Sequence, residues 1–175
     1  MAEALSNYFK LCIVVVVSLL IGLSASQDAA ARQVISGVDV SRGTILVLTS
    51  KRKLYYGLGN GKAIRYNVGV GKRGRQWTGR RYIARKAKKP AWQATPDILK
   101  DKPHLTRVIP GGAPENPMGA AALLISGNGY YAIHGTNRPR SIGGYVSYGC
   151  IRMHNKDILD LYQRARIGTR VIVQN

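Results

Sequence analysis

A succession of short segments, "TILVLT", "KLYYGL", "AIRYNVGV", "ALLIS", "YYAIH", "YVSYGCIRM" and "RVIVQ", is rich in Val, Ile, Tyr and Leu and punctuated by Gly, Asn and Lys. β-branched and aromatic residues suit a pleated, half-buried surface, so the pattern predicts a mainly antiparallel sheet. Two connections, "GNGK" at 59–62 and "SGNGY" at 126–130, supply Gly and Asn where positive φ costs little, and each is expected to close a hairpin. One helix is expected near the C-terminal end: Asn155 is placed to cap it, Asp157 suits its first turn, and Ile158, Leu161, Tyr162 and Ala165 recur at helical spacing before Gly168. Segment 90–117 holds six of the seven prolines with Trp92, His104 and "PGGAPENP", and reads as one long loop. Within it "TPDIL" predicts a single helical turn, with Thr95 as cap and Pro96 at the first position. The fold expected is therefore one mainly β domain with one helix near its end and a long Pro-rich loop; no internal repeat or second domain boundary is visible.

Residues 11–23 form an apolar run broken only by Ser18 and Gly22, too short for a spanning helix of roughly 20 residues. Lys10 precedes it and "LSASQDAAAR" follows. A charged start, apolar middle and small-residue exit predict a secretory signal peptide over residues 1–26, or 1–31 if cleavage falls after Ala31. An uncleaved anchor is the alternative; Cys12 opens the run instead of closing it, which argues against lipid attachment. Either way the expected location is outside the cytoplasm. Cleavage removes Cys12 and leaves Cys150 as a lone thiol, without an internal disulfide partner. Such a thiol pairs with another chain, is oxidised, or serves as a nucleophile.

The 27 Lys and Arg against 8 Asp and Glu give a net charge of +19, so an anionic partner is expected. No aromatic stacking motif accompanies the basic runs, and "KRGRQWTGRRYIARKAKK" reads as a solvated sheet face and loop. Nucleic acid is therefore not the expected partner; an exported protein meets anionic envelope polymers or headgroups.

His134 ends an alternating strand pattern, and Gly135 turns the chain. The Gly and Pro residues between them and Cys150 fit a loop that returns the chain alongside, within reach of the imidazole. A free thiol with a pKa of about 8.5 is mostly protonated at neutral pH; an adjacent imidazole takes the proton and later returns one to a leaving amine. Backbone amides of Gly149 and Cys150 are candidate oxyanion donors, and the Arg152 guanidinium is a candidate for fixing a substrate carboxylate. Against this stand a lone Cys as a small buried hydrophobe and a lone His as an ordinary core residue. A metal site from His134, Cys150 and His154 has no supporting spacing, so no metal or cofactor is expected, and His104 carries no assigned role.

"HGTNRPRSIGGYVSYGCIRMHNKDILDLY" resembles the signature of the L,D-transpeptidase family, the YkuD-type catalytic domain: a His-Gly, a short loop, then Ser-x-Gly-Cys and Arg or Asn. Weaker resemblance, including "VGVGK" and the closing "GTRVIV", extends over the expected domain at 37–175. The resemblance implies a β-sandwich or barrel-type fold, Cys150 as acylated nucleophile, His134 as general acid/base and Gly135 as the carbonyl that orients it. Gly149 is implied in the oxyanion hole, and Arg152, Ser147, Tyr148 and Tyr131 in substrate contact. Many members carry His at the position of Tyr148 and an aromatic residue at that of Arg140. The implied reaction attacks the third residue of a peptidoglycan stem tetrapeptide and expels the terminal D-amino acid. The acceptor is then another stem, an envelope lipoprotein lysine, a free D-amino acid or water. One short domain of this family behind a signal suggests a Gram-negative periplasm. The alternative is a non-catalytic basic envelope-binding or peptidoglycan-binding protein on the same fold.

Overall fold

The computed structural model describes residues 32–127 and 130–175. The expected signal segment, with Cys12, and the middle of the 126–130 turn lie outside the described residues.

Among the described residues, thirteen strands are arranged mainly in one nine-stranded sheet, together with two helices of α type. β1 (Arg32–Ser36), β4 (Lys62–Asn67), β3 (Lys53–Gly59) and β2 (Ile45–Leu48) form one half, all antiparallel neighbours. The sheet thus begins before residue 37. The 59–62 hairpin forms as expected, with Asn60 and Gly61 at φ 51° and 66°. β13 (Arg170–Gln174) joins β2 in parallel and β6 (Gly79–Lys88) in antiparallel fashion. β6 pairs with β13 through Gly79–Tyr82 and from Ile83 onward with β9 (Ala121–Ile125), so one long strand serves both halves of the sheet; a register shift falls between Ile83 and Arg85 within the second pairing. Beyond β9 lie β10 (Ala132–His134), antiparallel to it, and β12 (Ile151–Arg152), parallel to β10.

The sheet is mixed where the sequence predicts mainly antiparallel pairing, because the parallel pairs join strands far apart in the chain and leave no local signal. Two predicted strands are also each split. "AIRYNVGV" gives β4 and β5 (Val70–Gly71), and "YVSYGCIRM" gives β11 (Tyr145–Ser147) and β12, with the β5–β11 pair parallel. The Pro-rich segment carries a two-strand ladder, β7 (Trp92–Gln93) with β8 (Val108–Ile109), and helix α1 (Pro96–Asp101), capped by Thr95 Oγ1, which accepts from the Ile98 amide at 3.4 Å.

Helix α2 (Asn155–Arg164) buries Ile158 and Leu161 in the main core with Ile133, Ile151 and Met153. Its N-cap is His154, not Asn155. The Asn155 Oδ1 instead accepts from the amides of Ala120 (3.0 Å) and Thr136 (3.1 Å), tying the helix start to the loops flanking β9 and β10. Lys86, in the run read as solvated, donates to the carbonyls of Tyr162 and Ala165 at 2.6 Å each, a cation at the helix C-terminus. No helix among the described residues is long and apolar enough to cross a membrane.

Candidate active site

Parallel pairing of β10 with β12 sets His134 opposite Arg152 and Ile133 opposite Ile151, and Cys150 immediately precedes β12, level with the start of β10. Partners in register share a face of the sheet, so the Arg152 side chain lies on the His134 face, and its charge acts on both His134 and Cys150. His134 is buried, and its Nδ1 lies 2.6 Å from the Gly135 carbonyl oxygen. A carbonyl only accepts, so Nδ1 carries the proton and the lone pair is on Nε2. Burial, then the Arg152 guanidinium, lowers the imidazole pKa from 6.5 to about 4. His134 is therefore a neutral proton acceptor at pH 7.

Cys150 keeps partial exposure, and its Sγ donates to the Tyr130 carbonyl at 3.6 Å. Burial pushes the thiol pKa up, while the Ala132 amide and the Arg152 charge pull it down. The resting pair is thiol and imidazole, with no preformed ion pair. Attack on a carbonyl then requires His134 to accept the proton as the sulfur bonds.

The turn carrying Cys150 corrects one expectation. Gly149 has φ 118°, which turns its amide onto Ser147 Oγ at 3.1 Å; that hydroxyl donates to the Cys150 carbonyl at 2.6 Å. The Gly149 amide is thus occupied, and Cys150 and Tyr148 carry the turn's amides with no intramolecular acceptor among the described residues. Ser147 is 2% exposed and locks the turn from inside. An ideal Cβ on Gly149 would lie 2.4 Å from Tyr131 Cε1. Glycine is required there by both its φ and the ring against it. Tyr131, placed at the substrate by the sequence, packs its ring parallel to Trp77 at 5.2 Å between centroids.

Tyr148 turns toward the loop. Lys72 Nζ sits 4.1 Å and the Arg75 guanidinium 5.5 Å from its ring centroid. Lys72 pairs with Asp101 at 3.3 Å and Arg75 with Asp97 at 2.6 Å, fastening α1 beside the nucleophile turn. Arg152 is half-buried, and its Nε is a buried donor with no partner among the described residues. His154 and His104 form no metal cluster with other ligands among the described residues.

Three residues with roles here escape the sequence reading. Trp77 donates its indole N–H to the Gly149 carbonyl at 2.9 Å; its signal is a large aromatic amid "RGRQWTG", which must find cover somewhere. Asn116, 3% exposed, donates to the carbonyls of Pro90 (3.0 Å) and Pro110 (2.8 Å) and accepts from the Met118 amide (2.8 Å). It folds the Pro-rich segment so that the backbone of Pro117 and Met118 faces His134. Asn155 is the third: an ideal Cβ on Gly135 would lie 2.3 Å from its Oδ1, so the residue after His134 must be small for the clamp to close.

A thiol, a neutral buried imidazole and an amide with no acceptor among the described residues thus lie on this sheet. The family model for the L,D-transpeptidase catalytic domain, YkuD, matches residues 42–173, and the chain belongs to that family. It is 36% identical over 155 residues to the probable L,D-transpeptidase ErfK/SrfK of Escherichia coli, covering 85% of this chain and 49% of that one. The chain therefore spans about half the length of that relative. It is 38% identical to the putative L,D-transpeptidase YkuD of Bacillus licheniformis, covering 79% of each chain. The ertapenem-acylated catalytic domain of an E. faecium L,D-transpeptidase superposes with a TM-score of 0.58 at 19% identity, over 78% of this chain and all of that one, a likeness of fold.

Proposed function

We propose that the domain transfers peptidoglycan stem-peptide acyl groups through Cys150. The observation that carries this reading is the β10–β12 pairing, which sets a neutral imidazole opposite Arg152, the same cation that acts on a partly exposed thiol two residues earlier whose own amide is undonated. Sγ attacks the carbonyl of the third residue of a stem tetrapeptide as His134 Nε2 takes the thiol proton. The Cys150 amide stabilises the oxyanion, and the Arg152 guanidinium takes a substrate carboxylate. His134 then protonates the nitrogen of the terminal D-amino acid, which leaves, and a thioester remains. An amine attacks the thioester, passes its proton to His134 and restores the thiol. Stem peptides, a lipoprotein lysine, D-amino acids and water all fit this second step chemically.

The test incubates wild-type and Cys150→Ala protein with tetrapeptide muropeptides and excess free D-amino acid. Wild type is expected to lose or exchange the terminal residue by mass spectrometry, and the variant to leave it intact; equal products from both overturn the reading.

Export to the cell envelope belongs to the same proposal and is supported by the charged, apolar and small-residue layout of the N-terminal segment. Fusion of residues 1–31 to a secretion reporter should deliver the reporter outside the cytoplasm; retention refutes it. The exposed cations on β6 and β13, Arg80, Arg81 and Arg170, line one shallow depression with Tyr82 and suit an anionic envelope polymer. Binding to isolated wall material should fall steeply between about 0.05 M and 1 M salt, as the screening length drops toward about 3 Å. Salt-independent binding would count against that contact.

A further inference from the structure

The loop at 72–78 grips the nucleophile turn at successive residues. The Lys72 amide donates to the Ser147 carbonyl at 2.9 Å, Lys72 and Arg75 flank the Tyr148 ring, and Trp77 Nε1 donates to the Gly149 carbonyl at 2.9 Å. The last contact differs in kind. The Gly149 carbonyl and the Cys150 N–H belong to one peptide unit, planar and trans, so they point in opposite directions along a single rigid plane. Whatever holds the carbonyl aims the amide.

We propose that Trp77 is a positioning residue that aims and strengthens the oxyanion donor of Cys150. The proposal rests on the acyl-transfer reading above. The indole is itself fixed: it stacks on Tyr131 with 5° between ring planes, and Tyr131 lies against Gly149. Gly149 is the residue of this turn with strongly positive φ and no Cβ, and it would otherwise leave this peptide plane free to rotate. Ser147 secures the flanking groups, the Gly149 amide and the Cys150 carbonyl, but makes no bond to the plane between them. Trp77 supplies that bond. Donation to a carbonyl also polarises its peptide, which makes the N–H at the other end a better donor to a developing oxyanion. In the reaction the Sγ–acyl bond forms, the carbonyl π pair moves to oxygen beneath the Cys150 N–H, and the leaving-group bond breaks as the tetrahedral species collapses. Nothing in that sequence touches Trp77, so its effect is confined to the step in which the oxyanion develops.

Two reagents separate this role from ordinary packing. Iodoacetamide alkylates sulfur by displacement at an sp³ carbon and forms no oxyanion, whereas p-nitrophenyl acetate must pass through one. Trp77→Phe keeps a ring to stack on Tyr131 and loses the N–H. Relative to wild type, Cys150 of the variant is expected to alkylate within about 2-fold and to be acetylated about 10-fold to 100-fold more slowly. That loss is smaller than the roughly 10²-fold to 10³-fold seen when an oxyanion donor is deleted outright. If the phenylalanine variant is destabilised, benzothienylalanine at position 77 repeats the test with sulfur in place of N–H in an almost unchanged shape. Equal acetylation rates overturn the proposal, and so does a parallel fall in both reactions, which marks a merely structural role. Wild type that alkylates but is not acylated by p-nitrophenyl acetate or by a tetrapeptide overturns the acyl-transfer reading itself, a result distinct from either.

Discussion

Gly149→Ala is expected to slow acylation of Cys150 by about 100-fold or more, the largest loss for so small a change outside the reacting pair. Its new methyl group would sit 2.4 Å from Tyr131 Cε1, where no side-chain carbon fits, on a backbone at φ 118° that L-residues rarely adopt. Tyr131 cannot swing away cheaply, because its ring is stacked on Trp77, and Trp77 holds the Gly149 carbonyl. Relief therefore comes by moving the nucleophile turn, and displacement of about 1 Å at a reacting group costs about 10²-fold in rate. Backbone strain of this kind adds roughly 1–3 kcal/mol of instability. Rapid-quench mass spectrometry of acyl-enzyme formation measures the rate, and thermal unfolding the stability. Adding Tyr131→Ala should recover part of the stability by removing the clash while leaving acylation slow, since the φ and the stack are still lost. Acylation within a few-fold of wild type in the single variant would show that the turn geometry does not govern catalysis.

His134→Gln is expected to lower kcat/KM by about 10²-fold to 10⁴-fold, the usual range for removing a general acid/base. Glutamine can still meet the Gly135 carbonyl but cannot accept the thiol proton. The wild-type pH profile should carry a characteristic acid limb. His134 acts when neutral, and its pKa is lowered to about 4, so kcat/KM should hold down to about pH 5 and fall only below that. A limb near 6.5 would mean that the imidazole is solvated in the working enzyme. Stability follows the same group. The folded-state pKa of about 4 lies below the ordinary 6.5, so between those values the unfolded chain binds more protons. Stability is full above pH 6.5 and is lost as pH falls toward 4, by about 3 kcal/mol from this residue. In His134→Gln that part of the acid sensitivity should disappear, and chemical denaturation at pH 7 and pH 4.5 reads it directly.

The residues proposed to react can be named from the sequence because their chemistry is local. A histidine at a strand end, a glycine that turns the chain, and Ser-x-Gly-Cys ahead of an arginine lie within one short stretch, and the 59–62 hairpin and the helix that becomes α2 carry their own turn and periodicity signals. What was not legible depends on distance or on backbone conformation. Trp77 meets Gly149 across 72 residues, and Asn155 reaches Ala120 across 35, so the spacing of either says nothing. Asn155 looked like a cap because it precedes an apolar repeat; it is drawn instead to amides stranded at two loop ends. The Gly149 amide looked available because a Ser-x-Gly-Cys string does not reveal that the serine hydroxyl folds back to take it. The charged run through β6 hid both Trp77 and Lys86, whose partners become visible only once the sheet and α2 are assembled.

The most direct test of acyl transfer through Cys150 is the intact mass of the protein, quenched in acid within seconds of mixing with a stem tetrapeptide and then digested and mapped. The expected result is a mass increase equal to the tripeptide acyl group, confined to the peptide containing Cys150, lost on addition of an amine acceptor and absent in Cys150→Ala. Turnover with no adduct at Cys150, or with turnover undiminished in Cys150→Ala, would contradict it.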